Sequence, residues 1–419
     1  MYDLLLRQCR LLQTDRTIVE ADIAVEKGVV AAIAPNIQAS AKITLDIQRQ
    51  LVSPPFVESH IHLDSALTVG QPRWNQSGTL FEGIEIWRER KQNLSLEDVK
   101  LRAIETLKLQ ATQGVLFVRS HADVSETSLT ALQALLEVRE AVKHWITLQV
   151  VAFPQDGIYG NPINEILMEK ALDMGADVVG GIPHYELTRE DGVKSVHRIF
   201  ELAQKYDRLI DIHCDEIDDE QSRFLEVVAA CAIRSDMGAK VTASHTTAFG
   251  SYNNAYAFKL LGFLQRTAVN FIANPLINIT LQGRTDTYPK RRGVTRVKEL
   301  WQQGMNVSFG HDCIQDPWYS LGTGNMLDVA SMGLHVCQMT GTAEIDACYD
   351  MVTWNGAKTL HLADDQYGVE IGKPANFMVL DAIDRYDAIR RRATVRYVIS
   401  RGKLLARTES PQTNWYDPT

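Results

Sequence analysis

Residues 54–64 read PPFVESHIHLD, a short apolar and β-branched run that ends on His60 and His62. Side chains alternate along a strand, so two histidines at i and i+2 face the same side. Neutral imidazole nitrogens on one side can share a divalent ion such as zinc or iron. Taken alone, His-x-His is as often a structural or surface pair. Its weight comes from what lies outward from it. Eight candidate strands follow one another at intervals: Val57 to His62, Val115 to Ser120, Ile146 to Phe153, Ala176 to Ile182, Leu209 to His213, Lys240 to His245, Ala268 to Ala273 and Asn306 to Asp312. Between most of them lie segments of helical period, such as LEDVKLRAIETLKLQATQG, NEILMEKALDMG, VHRIFELAQKY and VTRVKELWQQG, each closing near a glycine or turn. Eight strand and helix units over roughly 300 residues predict an α/β chain, a (β/α)8 TIM-like barrel.

The two ends have a different texture. Short alternating strands (ITLDIQ, ANFMVLD, VRYVISRGKLL) with turns at Glu26-Lys27-Gly28 and Arg401-Gly402-Lys403 predict a small β-sandwich formed by both chain termini. The expected division is therefore residues 1–52 as the N-terminal part of the sandwich, 53–365 as the catalytic barrel, and 366–419 as the C-terminal part with its tail. With 419 residues, 45% of them hydrophobic, the chain can bury a core of that size. Its net charge of −9 gives no basic footprint, which argues against a nucleic-acid partner but not against a neutral base. Charges interrupt the N-terminal apolar run, and nothing approaches the ~20 apolar residues of a membrane span. Six scattered cysteines form no CxxC pair, so neither a disulfide framework nor a thiolate zinc knot is expected. A soluble, cytoplasmic setting and a homo-oligomer are the expectations.

The chemistry-bearing residues recur at the carboxyl ends of the predicted strands, the face on which barrel enzymes place their active sites. His60, His62, His213 and Asp312 form a candidate ligand set for one divalent metal ion (Fe2+ or Zn2+), with positions left open for water. Hydrolysis on such an ion needs a group to move protons. Glu216, three residues beyond His213 in HCDE, fits that role. The competing reading is that Asp215, Glu216, Asp218, Asp219 and Glu220 are merely acids favoured near a helix start. His245 is placed to stabilise the oxygen of a tetrahedral adduct, and Asp312 to serve as both ligand and proton acceptor. The fourth strand, Gly180-Gly181-Ile182-Pro183-His184, offers no lysine or acid to bridge two ions, so one is expected. His121 and His184 are left outside the ligand set.

Longer motifs carry a resemblance. Pro54–Asp64, Gly70-Gln71-Pro72, Trp74–Gly83 (WNQSGTLFEG), Val151–Gln155 (VAFPQ), Asp211–Glu220 (DIHCDEIDDE) and Tyr288–Gly293 (YPKRRG) are similar to the bacterial cytosine deaminases of the amidohydrolase superfamily. The resemblance implies hydrolysis of a free pyrimidine base, cytosine to uracil and ammonia, with iron or zinc. It further implies that Gln155 reads the ring carbonyl and nitrogen, that a backbone group of Leu80 is a second ring contact, that Trp318 walls the pocket, and that Glu216 protonates the ring nitrogen.

One residue departs from that pattern. The family shows two consecutive aspartates after the eighth strand, and this chain has Asp312 followed by Cys313. A neutral thiol tolerates an apolar neighbour that an ionised carboxylate would not. The expected consequence is a pocket open to cytosines substituted at ring carbon 5, with 5-methylcytosine giving thymine as the leading case; the alternative is a small residue without effect. The same site would serve another cyclic amidine or amide, such as isocytosine, isoguanine, creatinine or a hydantoin. A non-catalytic binding barrel would be expected to lack a ligand or the glutamate, and both are present.

Overall fold

The structure, a computed structural model, describes residues 1–416. One sheet contains eight parallel strands in sequential order: β1 (Phe56–Ile61), β2 (Val115–Asp123), β3 (Thr147–Phe153), β4 (Val178–Gly181), β5 (Leu209–Cys214), β6 (Val241–His245), β7 (Asn270–Ala273) and β8 (Val307–Phe309). The circle closes between its first and last strands. Asp312 N donates to His60 O at 2.8 Å, and His62 N donates to Asp312 O at 3.0 Å, a parallel bridge of Ile61 with Asp312. The seam of the barrel is thus made by the backbone of three candidate ligands. Helices follow the strands in turn, among them Leu80–Lys91, Leu96–Thr112, Pro162–Asp173, Arg189–Tyr206 and Phe224–Ser235. This is the expected (β/α)8 architecture, with strands buried on both faces because helices cover the outside.

Several strands are shorter than expected. The fourth spans Val178–Gly181 rather than Ala176 to Ile182, because Pro183 has no N–H to continue the ladder and opens a short 3-10 turn, Pro183–Tyr185. The seventh begins at Asn270, after Ala268 adopts φ +55°. The eighth stops at Phe309, and Asp312 lies beyond it at φ +71°.

The chain divides into two compact units, one of Phe56–Gln110 and Phe117–Leu362, the other of Met1–Pro55, Ala111–Leu116 and the segment from Ala363 onward. In the second, strands from both ends of the chain join in a separate sheet. Tyr2–Leu12 pairs antiparallel with Ile18–Glu26 on one side, and on the other runs parallel first to Ala41–Asp46 and then to Leu51–Ser53. Phe377–Leu380 continues the sheet from Leu51–Ser53. Alternation gives each face its own apolar cluster: Leu4, Leu6, Ile23, Val52 and Phe377 on one, Leu5, Ala24 and Ile37 on the other.

Candidate metal centre and active site

His60 and His62 leave β1 on the same side, as the i, i+2 spacing requires, with ring centroids 5.6 Å apart. His213 comes from β5 and brings its Nε2 to 3.1 Å from His62 Nε2. Two neutral ring nitrogens facing each other at that distance leave lone pairs converging on shared space. Asp312 Oδ1 lies 3.8 Å from His60 Nε2 and 3.6 Å from His62 Nε2. His60 Nε2 is fully buried and has no hydrogen-bond partner among the described residues. Buried polar atoms are rarely left so, and an imidazole nitrogen without a proton partner is a ready metal ligand. Burial, and then the neighbouring histidines, hold His60, His62 and His213 well below their ordinary pKa, so the rings are neutral donors. These residues fit a divalent cation.

The rest of the site is built around that focus. Thr242 and Ser244 are both buried on β6, two residues apart, so alternation alone would send His245 to the opposite side. His245 instead has φ +65° and lines the cavity. Non-glycine residues in this backbone region cluster at functional sites. Its Nδ1 accepts from Asn278 Nδ2 at 3.0 Å and lies 3.1 Å from Glu216 Oε1, while its Nε2 is 3.6 Å from Asp312 Oδ2. Asp215 and Glu216, adjacent acids beyond β5, divide their work. Asp215, at φ +53°, accepts from the backbone N–H of Phe224 and Leu225 at the start of the following helix, as the helix-start reading supposed. Glu216 turns into the cavity. Burial, and then the charge of Asp312, push the Glu216 carboxyl well above its ordinary range. Burial and the charge of Asp316 do the same to Asp312.

Nine of the ten expected residues line one cavity of about 340 Å³: His62, His213, Asp312, Glu216, His245, Gln155, Leu80, Cys313 and Trp318. The tenth, His60, is fully buried at the seam below them. Leu80 is the first residue of helix Leu80–Lys91, capped by Thr79, so its backbone N–H has no intrahelical acceptor and is available to a ligand. Trp318 packs tightly on that helix: a Cβ on Gly83 would lie 2.3 Å from its ring. Cys313 is buried, with its Sγ 3.5 Å from Asp312 Oδ1.

Other contributors had no strong mark in the sequence. Ile182, Ile277 and Leu281 supply the apolar wall and read as ordinary core. His121 lies on β2 with its ring centroid 4.1 Å from that of His60; its position near a strand end was the available signal. Glu58 bridges the seam, accepting from His60 N and His311 N, and burial raises its carboxyl to about 8. A lysine on β4 is sterically barred at Gly180, where a Cβ would meet the Ala152 carbonyl oxygen at 2.6 Å.

The fold has close parallels. The chain is 49% identical to 5-methylcytosine deaminase from Klebsiella pneumoniae in its crystal structure liganded with 5-fluorocytosine, with a TM-score of 0.94 over 98% of this chain and 99% of that one. The structure of the same enzyme liganded with phosphonocytosine matches at 49% identity and TM-score 0.94, covering 98% and 100%. N-isopropylammelide isopropyl amidohydrolase of Pseudomonas sp. (strain ADP) is 29% identical over 97% of this chain and 98% of its own length. Residues 44–406 match the model of the amidohydrolase family, and the chain belongs to that family.

Proposed function

We propose that the protein is a metal-dependent hydrolytic deaminase of free cytosine-type bases, turning cytosine into uracil and 5-methylcytosine into thymine with release of ammonia. The observation that carries this reading is one cavity lined together by His62, His213, Asp312, Glu216 and Cys313. The 49% identity to an enzyme named for 5-methylcytosine supports the choice of ring.

His60, His62, His213 and Asp312 would hold one Fe2+ or Zn2+. When bound, such an ion supplies the Lewis acidity that makes water a nucleophile near neutral pH. A single ion is favoured because β4 offers no bridging side chain and because Asp211, the other nearby acid, is paired with Arg119 at 3.0 Å. Glu216, its carboxyl pushed well above the ordinary range by burial and by the charge of Asp312, delivers a proton to the ring nitrogen beside the carbon under attack. Asp312 accepts the proton released by the attacking water. The Asn278 amide, the shorter of its two asparagine contacts, orients His245 through Nδ1, and its Nε2 faces the oxygen of the adduct. The Gln155 amide and the free N–H of Leu80 orient the ring between Trp318 and the Ile277 and Leu281 side chains. Cys313 lies where a carboxylate would have to be desolvated against a ring methyl, and the thiol removes that cost.

Ammonia release from cytosine, 5-methylcytosine and isocytosine by protein reloaded with a defined metal tests the reading. Turnover of the two cytosines above isocytosine is expected; release from isocytosine alone, or from none of the three, overturns it. We also propose a cytoplasmic setting, supported by six unpaired cysteines, and a homo-oligomer, to be checked by light scattering. Among the described residues no helix is long and apolar enough to cross a membrane.

A further inference from the structure

Beneath the ligand layer the barrel interior holds a hydrogen-bonded chain that the proposed mechanism does not use. Arg119 of β2, Asp211 of β5, Ser244 of β6 and His60 of β1 are all fully buried. Arg119 Nη1 donates to Asp211 Oδ2 at 3.0 Å, while its Nε donates to Gln149 Oε1 and its Nη2 to the Thr359 carbonyl. The other carboxylate oxygen, Oδ1, accepts from Ser244 Oγ at 2.5 Å. Ser244 Oγ lies 3.2 Å from His60 Nδ1.

Counting protons along this chain gives one direction. A carboxylate paired with a guanidinium only accepts, so the single hydroxyl proton of Ser244 goes to Asp211. The hydroxyl oxygen then has only lone pairs to offer His60, and the 3.2 Å contact is a hydrogen bond only if Nδ1 carries the proton. With its proton there, the ring's lone pair sits on Nε2, the buried atom without a partner that faces Asp312 and His62. We infer that Ser244 and Asp211, anchored by Arg119, are positioning residues that set the tautomer and orientation of His60 and so raise the affinity of the centre for its metal ion. The inference rests on the reading of His60 as a metal ligand. The relay has a physical precedent in the general behaviour of ligating histidines, whose second nitrogen is held by an oxygen acceptor that fixes the ring and raises its basicity. Here the acceptor is a neutral hydroxyl polarised by a buried carboxylate three elements away in the chain, so no negative charge touches the ring.

The experiment titrates metal-free protein with Zn2+ against a chromophoric chelator of known affinity. Wild type is expected to bind one Zn2+ per chain, and Ser244→Ala to bind it about 10- to 100-fold more weakly. The unfolding midpoint of the metal-free protein should fall, because Asp211 Oδ1 loses a hydrogen bond, so affinity is compared on folded protein. Ser308→Ala, which removes another buried barrel hydroxyl, bonded to Phe271 O and Thr359 Oγ1, should bind within twofold of wild type. Equal affinity of Ser244→Ala and wild type would overturn the inference while leaving the metal reading intact; a wild type that binds no Zn2+ would remove both. A readout without substitution covers the case in which Ser244→Ala does not fold. Ring nitrogen-15 shifts of histidine-labelled, metal-free wild type should show His60 protonated on Nδ1, and a proton on Nε2 would overturn the inference.

Discussion

In the terminal sheet Leu6, Ile23, Val52 and Phe377 are fully buried and bring no polar side-chain atom with them. In the barrel Glu58, His60, Arg119, His121 and Asp211 are buried as completely. Burying apolar groups is favourable in proportion to area, whereas burying ionisable ones is costly unless each finds a partner. The first region is therefore built for stability. The second retains buried ionisable groups, some paired, as Arg119 with Asp211, and some without a hydrogen-bond partner among the described residues, as the Nε2 atoms of His60 and His121, which is what a site under functional demand looks like.

Substitutions should separate the two. Glu216→Gln keeps shape but removes the proton, and should lower kcat by about 10²- to 10⁴-fold with an unchanged or raised thermal midpoint. A parallel loss of stability would mean that Glu216 is part of the scaffold. Phe377→Ala is the mirror case. It should lower unfolding free energy by about 3–5 kcal/mol in a urea titration and leave kcat/KM of the folded protein near wild type. Cys313→Asp acts within the site. Its preference for 5-methylcytosine over cytosine should fall about fourfold or more, since one buried methyl is worth about 0.8 kcal/mol. An unchanged ratio of steady-state rates would leave Cys313 without a part in specificity.

The smallest effects concern pH, and they have opposite signs in the two regions. Burial raises the Asp64 carboxyl in the barrel from its ordinary 3.8 to about 7. The folded state thus holds this proton more tightly than the unfolded one, and the associated stability is present below pH 3.8 and lost as pH rises through 7. Asp387, near the C-terminal end of the chain, is lowered to about 2 by its hydrogen bond from Arg391, against burial, with Arg390 adding to it. Its contribution is present above the ordinary value of 3.8 and lost as pH falls through about 2. Thermal midpoints across pH should therefore decline less steeply between pH 4 and 7 in Asp64→Asn, and less steeply below pH 4 in Asp387→Asn. Exchange of these two behaviours would break the contrast between the regions.

Much of the barrel was legible because its periodicities are local: apolar strand runs, amphipathic helices and the turns between them are written within a few residues of one another. The strand ends were less legible, since Pro183 and the left-handed residues Ala268 and Asp312 cut ladders that composition alone would extend. In the site, histidines and acids at strand ends could be read directly. Ile182, Ile277 and Leu281 could not, because an apolar side chain has the same appearance in a pocket wall as in the core.

By itself, the order of residues determined that eight strand and helix units would form, and that His60, His62, His213 and Asp312 would stand at equivalent ends of them. Closure of the ring decided the rest. Only when Asp312 bonds to the backbone of His60 and His62 do the first and eighth strands meet, and a left-handed Asp215 turns its own carboxylate to the next helix while Glu216 lines the cavity. Propensity is a property of neighbours in sequence. A metal centre is a property of atoms brought within a few ångströms by a fold, and no local pattern encodes that distance.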